Sequence, residues 1–440
     1  MSAMDQHVAP AAIRAAFSAA MSRMYRAEVP LYGDLLEIVA AVNAAVLSAQ
    51  PALARQLAAS GEGVRLGEER HGAIRVGTPA ELRLLARLFA IMGMAPVGYY
   101  DLAPAGIPVH STAFRATDAA DLATSPFRVF TSLLRLELIA DPDLRAKASA
   151  ILADRRIVTD ACVALIEEAE QEGGLHAGAA DRFVAEALET FRWQGRALVN
   201  AATYDALLAQ HRLVADIVAF PGPHINHLTP RTLDIDAAQA EMQRRGMAAK
   251  ASIEGPPRRE VPVLLRQTSF HALSESFVPL GAEGADAQHT ARFGEIEQRG
   301  AALTPAGRAL YDRCLQRAQD GETLADAFAG FPDDFGELFA AGLAYAQFLP
   351  TGRAGRADTI EQALANRLLA PAPLTYEDFL PVSAAGIFRS NLGEVAPETY
   401  AAGGSQAAFE AALGQPVRDP FKLYAAAQER SAAEALAKLA

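Results

Sequence analysis

Arg70-His71-Gly72-Ala73-Ile74-Arg75-Val76 reads as a strand that opens on a histidine, and Asn226-His227-Leu228-Thr229-Pro230-Arg231 begins a second segment in the same way. Each is followed by a helical pattern, Pro79–Met92 and Asp236–Arg245, that stops at a glycine, in Met92-Gly93-Met94 and Arg245-Gly246-Met247. A matching strand then follows, His110-Ser111-Thr112-Ala113-Phe114-Arg115-Ala116 in the first segment and Arg266-Gln267-Thr268-Ser269-Phe270-His271-Ala272 in the second. His71 and Thr112 are 41 residues apart, as are His227 and Thr268. A repeat of that length is one supersecondary unit used twice.

Working outward, the first unit shows strands at Arg70–Val76, Val97–Leu102, Val109–Ala116 and Phe127–Leu138. In the second, strand signals begin at Asp216–Phe220, run into Pro221-Gly222-Pro223-His224-Ile225-Asn226-His227, and resume at Ala248–Ile253, Val263–His271 and Arg292–Arg299. The expected fold is α+β, with duplicated β-α-β-β-β modules forming one curved mixed sheet around a metal site and helices packed about it. The expected divisions are a helical cap over 1–60, the first module over 61–140, a helical insertion over 141–212, the second module over 213–303, and a mainly helical region over 304–440.

Composition narrows the function. The 440 residues are 51% hydrophobic and 21% charged, enough to build a buried core. A net charge of −12 and the lack of a basic stripe argue against nucleic acid. No run of about 18 uncharged apolar residues stands out as a membrane span, and the N-terminus lacks the layout of a secretory signal, so a cytoplasmic protein is expected. Cys162 and Cys314, the two cysteines, lie in helical patterns and suit neither a disulfide framework nor a thiolate site. A metal would therefore be held by nitrogen and oxygen.

Side chains alternate along a strand, so a histidine can face a concave sheet surface while its neighbours face away. Two imidazoles and one carboxylate on one side of an ion leave three positions open for a chelating substrate and O2. The candidates are His71, His227 and Glu295, the last in Phe293-Gly294-Glu295-Ile296-Glu297, with Glu297 in reserve. His224 competes with His227, which the 41-residue register favours. His110, His271 and His289 lie in or beside strands and read as supporting or ordinary residues; His7, His176 and His211 read as solvated. Arg75 shares a strand face with His71 and could bind a carboxylate bidentately or form a structural ion pair; Arg231 stands at the same offset from His227. Gly403-Gly404-Ser405 opens a helical pattern over 406–413 and could offer N–H groups to an anion or form an ordinary cap.

Several longer runs carry a family resemblance: Val29-Pro30-Leu31-Tyr32-Gly33-Asp34-Leu35, the two histidine segments, Phe293-Gly294-Glu295-Ile296-Glu297-Gln298-Arg299-Gly300, and Tyr376-Glu377-Asp378-Phe379-Leu380-Pro381-Val382-Ser383-Ala384-Ala385-Gly386-Ile387-Phe388. In these the chain resembles the 2-oxoadipate dioxygenase/decarboxylases, whose fold is related to vicinal-oxygen-chelate enzymes such as hydroxymandelate synthase. The resemblance implies Fe(II) held by His71, His227 and Glu295, and substrate preference set by Arg75. It further implies conversion of 2-oxoadipate and O2 to (R)-2-hydroxyglutarate and CO2, late in lysine breakdown, with Gly403 placed near the substrate. Two other readings are a glyoxalase-like isomerase or hydrolase using Zn2+ or Ni2+, which needs a fourth ligand near His110 or Glu137, and a non-catalytic small-molecule binder.

Overall fold

The computed structural model describes residues 6–283, 287–380 and 406–439. Nine strands span the two modules: β1 (Arg70–Val76), β2 (Ala95–Asp101), β3 (Val109–Arg115), β4 (Arg128–Leu134), β5 (His227–Pro230), β6 (Leu265–Ser269), β7 (Ser274–Phe277), β8 (Ala287–Thr290) and β9 (Phe293–Arg299). Seven of them form one curled sheet in the order β2-β3-β4-β1-β5-β9-β6. The fold is mixed α+β, with helices wrapped around that sheet.

The duplication is visible in the register. β1 lies parallel to β4, with Gly72 opposite Val129, and β5 lies parallel to β9, with Leu228 opposite Gly294. Thr112 faces Thr131 across the antiparallel β3–β4 pair, and Thr268 faces Ile296 across β6–β9. The halves meet where β1 and β5 pair antiparallel, Gly72 against Leu228, which places His71 opposite Thr229 and Ala73 opposite His227. His71 and His227 are thus diagonal neighbours on one face.

Alternation separates that face from its reverse. Ile74, Val76, Phe114, Val129, Leu133, Leu228 and Ile296 pack outward against Pro10–Glu28, Pro30–Ala49, Pro79–Ile91 and Ile235–Arg244. The inner face carries His71, Arg75, Ser111, Arg128, Ser132, His227, Thr229, Gln267, Glu295 and Glu297, all buried. Chain from the C-terminal region covers this polar face: Phe379 packs edge-on against His71 at 4.9 Å and against Phe130 at 5.3 Å. Asp378 is bound by Arg115 Nε at 2.8 Å.

Two expectations are corrected. Asp216–Phe220 belongs to the helix Arg212–Ala219, not to a strand. Its residues Leu213 to Ala219 are all buried, and a stretch buried on every side carries no periodicity to tell a helix from a strand. Ala248–Ile253 forms no strand; the stretch touches β6 only through the single bridges Ala249–Phe270 and Glu254–Gln267. In its place, β7 and β8 form a separate hairpin between β6 and β9. The helix Pro30–Ala49, with a mean hydropathy of 1.5, is long and apolar enough to cross a membrane by length and composition. It carries Asp34 and Glu37, and its Tyr32, Leu35, Ile38 and Val39 are part of the core.

Tyr25 fastens the ends of two site-bearing strands to the helical layer. Its buried hydroxyl donates to the Phe293 carbonyl at 2.6 Å and lies 3.1 Å from the Asn226 carbonyl. Replacing Tyr25 with Phe keeps the ring and removes this donor. The expected loss is about 1–2 kcal/mol of unfolding free energy, measured as a lower urea midpoint at unchanged slope.

Candidate metal centre

His71, His227 and Glu295 come together at the middle of the inner face, each offering a ligand atom within 4.8 Å of the others. The register explains the meeting. His71, Thr229 and Glu295 share one cross-strand row, and His227 lies two residues back on β5. Thr229 Oγ1 and Gln267 Nε2 donate to Glu295 Oε1 at 3.0 and 2.7 Å. The His71 and His227 rings are 5.4 Å apart and nearly perpendicular at 88°.

The donor set fits a metal. All three side chains are fully buried, and buried polar atoms are ordinarily hydrogen-bonded because leaving one unsatisfied costs ~1–3 kcal/mol. Here both nitrogens of both imidazoles and Glu295 Oε2 lack an aligned hydrogen bond. His71 Nε2 lies 3.1 Å from Glu295 Oε1, and His227 Nε2 lies 3.9 Å from the same oxygen, without N–H alignment. One divalent cation would take one nitrogen of each imidazole together with a Glu295 oxygen.

Electrostatics point the same way. Burial, helped by His71 and Arg75, pushes His227 well below its usual range and keeps it neutral. For His71, burial opposes the charged ring, but Glu297 and Glu295 more than offset it and raise its pKa. A metal can take the place of that proton. Glu297, the reserve ligand, instead stands behind His71: its Oε2 lies 2.9 Å from Nδ1, the nitrogen away from Glu295. Burial works against the charge of Glu297, yet Arg299 and His71 hold its pKa at about 2. Arg299 clamps it from the other side with two donors, at 2.7 and 2.9 Å. A carboxylate behind a metal-bound imidazole fixes the ring and raises its basicity.

The other candidates lie elsewhere. Arg75 is buried with Nη1 2.6 Å from Asp216 Oδ2, in the ion pair that the sequence left open. Arg231 is bound by Glu62 at 2.6 Å and Glu69 at 2.9 Å, away from any ligand role. His224 and His289 belong to a second buried cluster around Asp216. His110 faces Tyr99 and Phe409, on the reverse of the sheet from His71, and burial pushes it down to about 4. Glu137 pairs with Arg135 at the surface. His271 is exposed, whereas His211, read as solvated, is partly buried and caps the helix Arg212–Ala219 by accepting from Leu213 N–H. His7 and His176 lie near the surface with their rings 4.6 Å apart and tilted by 53°. Gly403 lies outside the described residues.

Sequence reading missed Asp216, which it placed in a strand, and Phe379, which packs on His71 from 308 residues downstream. Nothing local in the sequence marks such a long-range contact.

Two predictions follow from the geometry. His71→Ala, His227→Ala and Glu295→Ala are each expected to lower bound metal from one ion per chain to near none, whereas His224→Ala retains it; metal analysis after gel filtration reads this. Glu297→Gln keeps all three donors but loses the carboxylate behind His71. Its metal affinity, measured by chelator competition, is expected to fall roughly 10- to 100-fold.

The family model described as 2-oxoadipate dioxygenase/decarboxylase matches residues 17–391. A relative of that name from Pseudomonas putida is 54% identical, covering 97% of each chain. One from Escherichia coli is 55% identical, over 95% of this chain and 96% of its own. The crystal structure of hydroxyglutarate synthase from Pseudomonas putida in complex with 2-oxoadipate superposes with a TM-score of 0.91 at 53% identity, covering 98% of this chain and all of the other. This chain belongs to the 2-oxoadipate dioxygenase/decarboxylase family of enzymes.

Proposed function

We propose that this chain converts 2-oxoadipate and O2 to (R)-2-hydroxyglutarate and CO2, using Fe(II) held by His71, His227 and Glu295. The carrying observation is that, among the described residues, the sheet offers three converging ligands and no fourth. By the duplicated register Phe130 occupies in module one the place of Glu295 in module two, since Val129 and Gly294 face Gly72 and Leu228 in turn. A three-ligand site leaves room on the ion for a bidentate 2-oxo acid and O2, which supports the dioxygenase reading over a four-ligand isomerase.

With Fe(II) bound, the metal supplies chelation of the substrate's carboxylate and keto oxygen and activation of O2. The chain's residues do the rest. Phe379 and Phe130 keep water from the inner face beside His71. Glu297 holds the His71 ring. Arg75 binds the distal carboxylate, which would otherwise be buried unpaired in a protein of net charge −12 at a cost of several kcal/mol. Its closeness to the centre is evident in its part in lowering His227. The reaction conserves atoms: both oxygens of O2 are retained, one carbon leaves as CO2 and the five-carbon hydroxy acid remains. Two buried cysteines without a disulfide, Cys162 and Cys314, support a reducing compartment such as the cytoplasm.

Oxygen uptake by Fe(II)-reconstituted protein across a panel of 2-oxo acids tests this reading. We expect one CO2 released per O2 consumed, with 2-oxoadipate preferred; turnover that needs no O2, or that Zn2+ supports equally, contradicts it. Arg75→Ala is expected to lower kcat/KM for 2-oxoadipate by about 2–5 kcal/mol of transition-state stabilisation, with a much smaller effect on a 2-oxo acid bearing an apolar tail.

A further inference from the structure

Behind Arg75 lies a buried network that the metal centre does not use. Asp216 Oδ2 accepts from Arg75 Nη1 at 2.6 Å and from Asn226 Nδ2 at 3.4 Å. Its other oxygen, Oδ1, takes His289 Nε2 at 2.9 Å, and His224 Nε2 lies 3.2 Å away. His289 Nδ1 in turn meets the Tyr204 hydroxyl at 2.8 Å. Asp216, His224 and His289 are 3–6% exposed, and Tyr204 is 5% exposed. Trp193, the single tryptophan, and Phe220 pack against both histidine rings.

The roles of these groups follow from their bonding. Burial disfavours the Asp216 charge, but Arg75, His224 and His289 outweigh it and hold the carboxylate ionised. An ionised Asp216 only accepts, so His289 donates from Nε2, and its Nδ1 accepts from Tyr204. Each link thereby fixes the next. The cluster has the composition of a metal site, two histidines and a carboxylate, but Asp216 and His289 are already engaged on both sides. Its orphaned ligand atom is His224 Nε2, whereas in the first cluster both imidazoles and Glu295 carry unsatisfied atoms.

An arginine side chain has several rotatable bonds, and a bidentate contact with a carboxylate needs its planar fork held in one orientation. We infer that Asp216, braced by His289 and Tyr204, is a positioning residue that orients Arg75 for the distal carboxylate of the substrate and so sets preference for dicarboxylic 2-oxo acids. Arg75 rises from β1 and Asp216 from the helix Arg212–Ala219, so the brace crosses between two elements. Asn226 ties it to the metal centre, because it bonds Asp216 through its side chain and immediately precedes His227. The inference rests on the proposed role of Arg75 in substrate recognition.

The test measures dissociation constants of 2-oxoadipate and of 2-oxohexanoate, the same chain without the distal carboxylate, by anaerobic calorimetry on Fe(II)-loaded protein. Asp216→Ala is expected to weaken 2-oxoadipate binding roughly tenfold or more, to change 2-oxohexanoate binding by no more than about twofold, and to leave metal content unchanged. Tyr204→Phe removes only the outermost donor and should show a smaller loss with the same selectivity, so the inference stays testable should Asp216→Ala fail to fold. Asp216→Glu should restore part of the loss. In the Arg75→Ala background Asp216→Ala should add little, since coupled residues are non-additive. Equal weakening of both ligands, loss of metal, or full additivity with Arg75→Ala would make Asp216 a structural residue and overturn the inference. If Arg75→Ala itself shows no selective loss, the role of Arg75 fails instead, and the two failures are distinguishable.

Discussion

The pairing of β1 with β5 is the constraint on which everything else depends. Its register, with Gly72 opposite Leu228, joins the two modules about a local pseudo-twofold centre and sets both histidines on the inner face. A slip of one residue would turn one of them to the outer face. Gly72 itself is constrained by this packing: a Cβ there would lie 2.5 Å from Ile225 Cδ1 and 3.1 Å from the His227 carbonyl oxygen. The segment before His227 therefore lies close against β1, and a side chain at position 72 would require Ile225 to shift.

A polar inner face is costly to bury, and the chain offsets the cost with paired charges. Glu69, one residue before β1, is fully buried, yet its carboxylate is held ionised because Arg65, Arg231, Arg128 and Arg299 outweigh its burial. Glu377 joins the same group through two contacts with Arg65, at 2.9 and 3.0 Å, and a further contact with Arg128. Breaking one partner of such a group leaves an uncompensated charge, which typically costs 3–5 kcal/mol. The network also links the C-terminal region to the site. Arg299 donates to the Tyr376 and Asp378 carbonyls and lies over the Phe379 ring, while the same guanidinium holds Glu297 behind His71. Covering the site and orienting a ligand thus share one side chain.

Much of this was legible in the sequence because it depends on period and spacing. The 41-residue interval from histidine to threonine in each half set the duplication, and alternation along Phe293–Arg299 set Glu295 and Glu297 on one face. Where the pattern carries no period, reading failed. Leu213–Ala219 is buried on all sides as a helix, so Asp216–Phe220 resembled a strand. The edge of module two is held by single bridges at Ala249 and Glu254, too irregular for strand chemistry to mark. The partners of Arg75 and the division of labour between Glu295 and Glu297 depend on contacts between distant segments. Asp216 reaches Arg75 across 141 positions, and local pattern cannot report such a distance.

Three clusters of two histidines and a carboxylate lie among the described residues; that of His7, Glu172 and His176 is mostly exposed, and of the two buried ones the metal is assigned to only one. The most direct test is the position of the iron anomalous-difference peak in crystals of Fe(II)-loaded protein grown without oxygen. The prediction is a single peak bounded by His71, His227 and Glu295, with Asp216 and His289 keeping their hydrogen bond. A peak among Asp216, His224 and His289, with none at His71, His227 and Glu295, would contradict it.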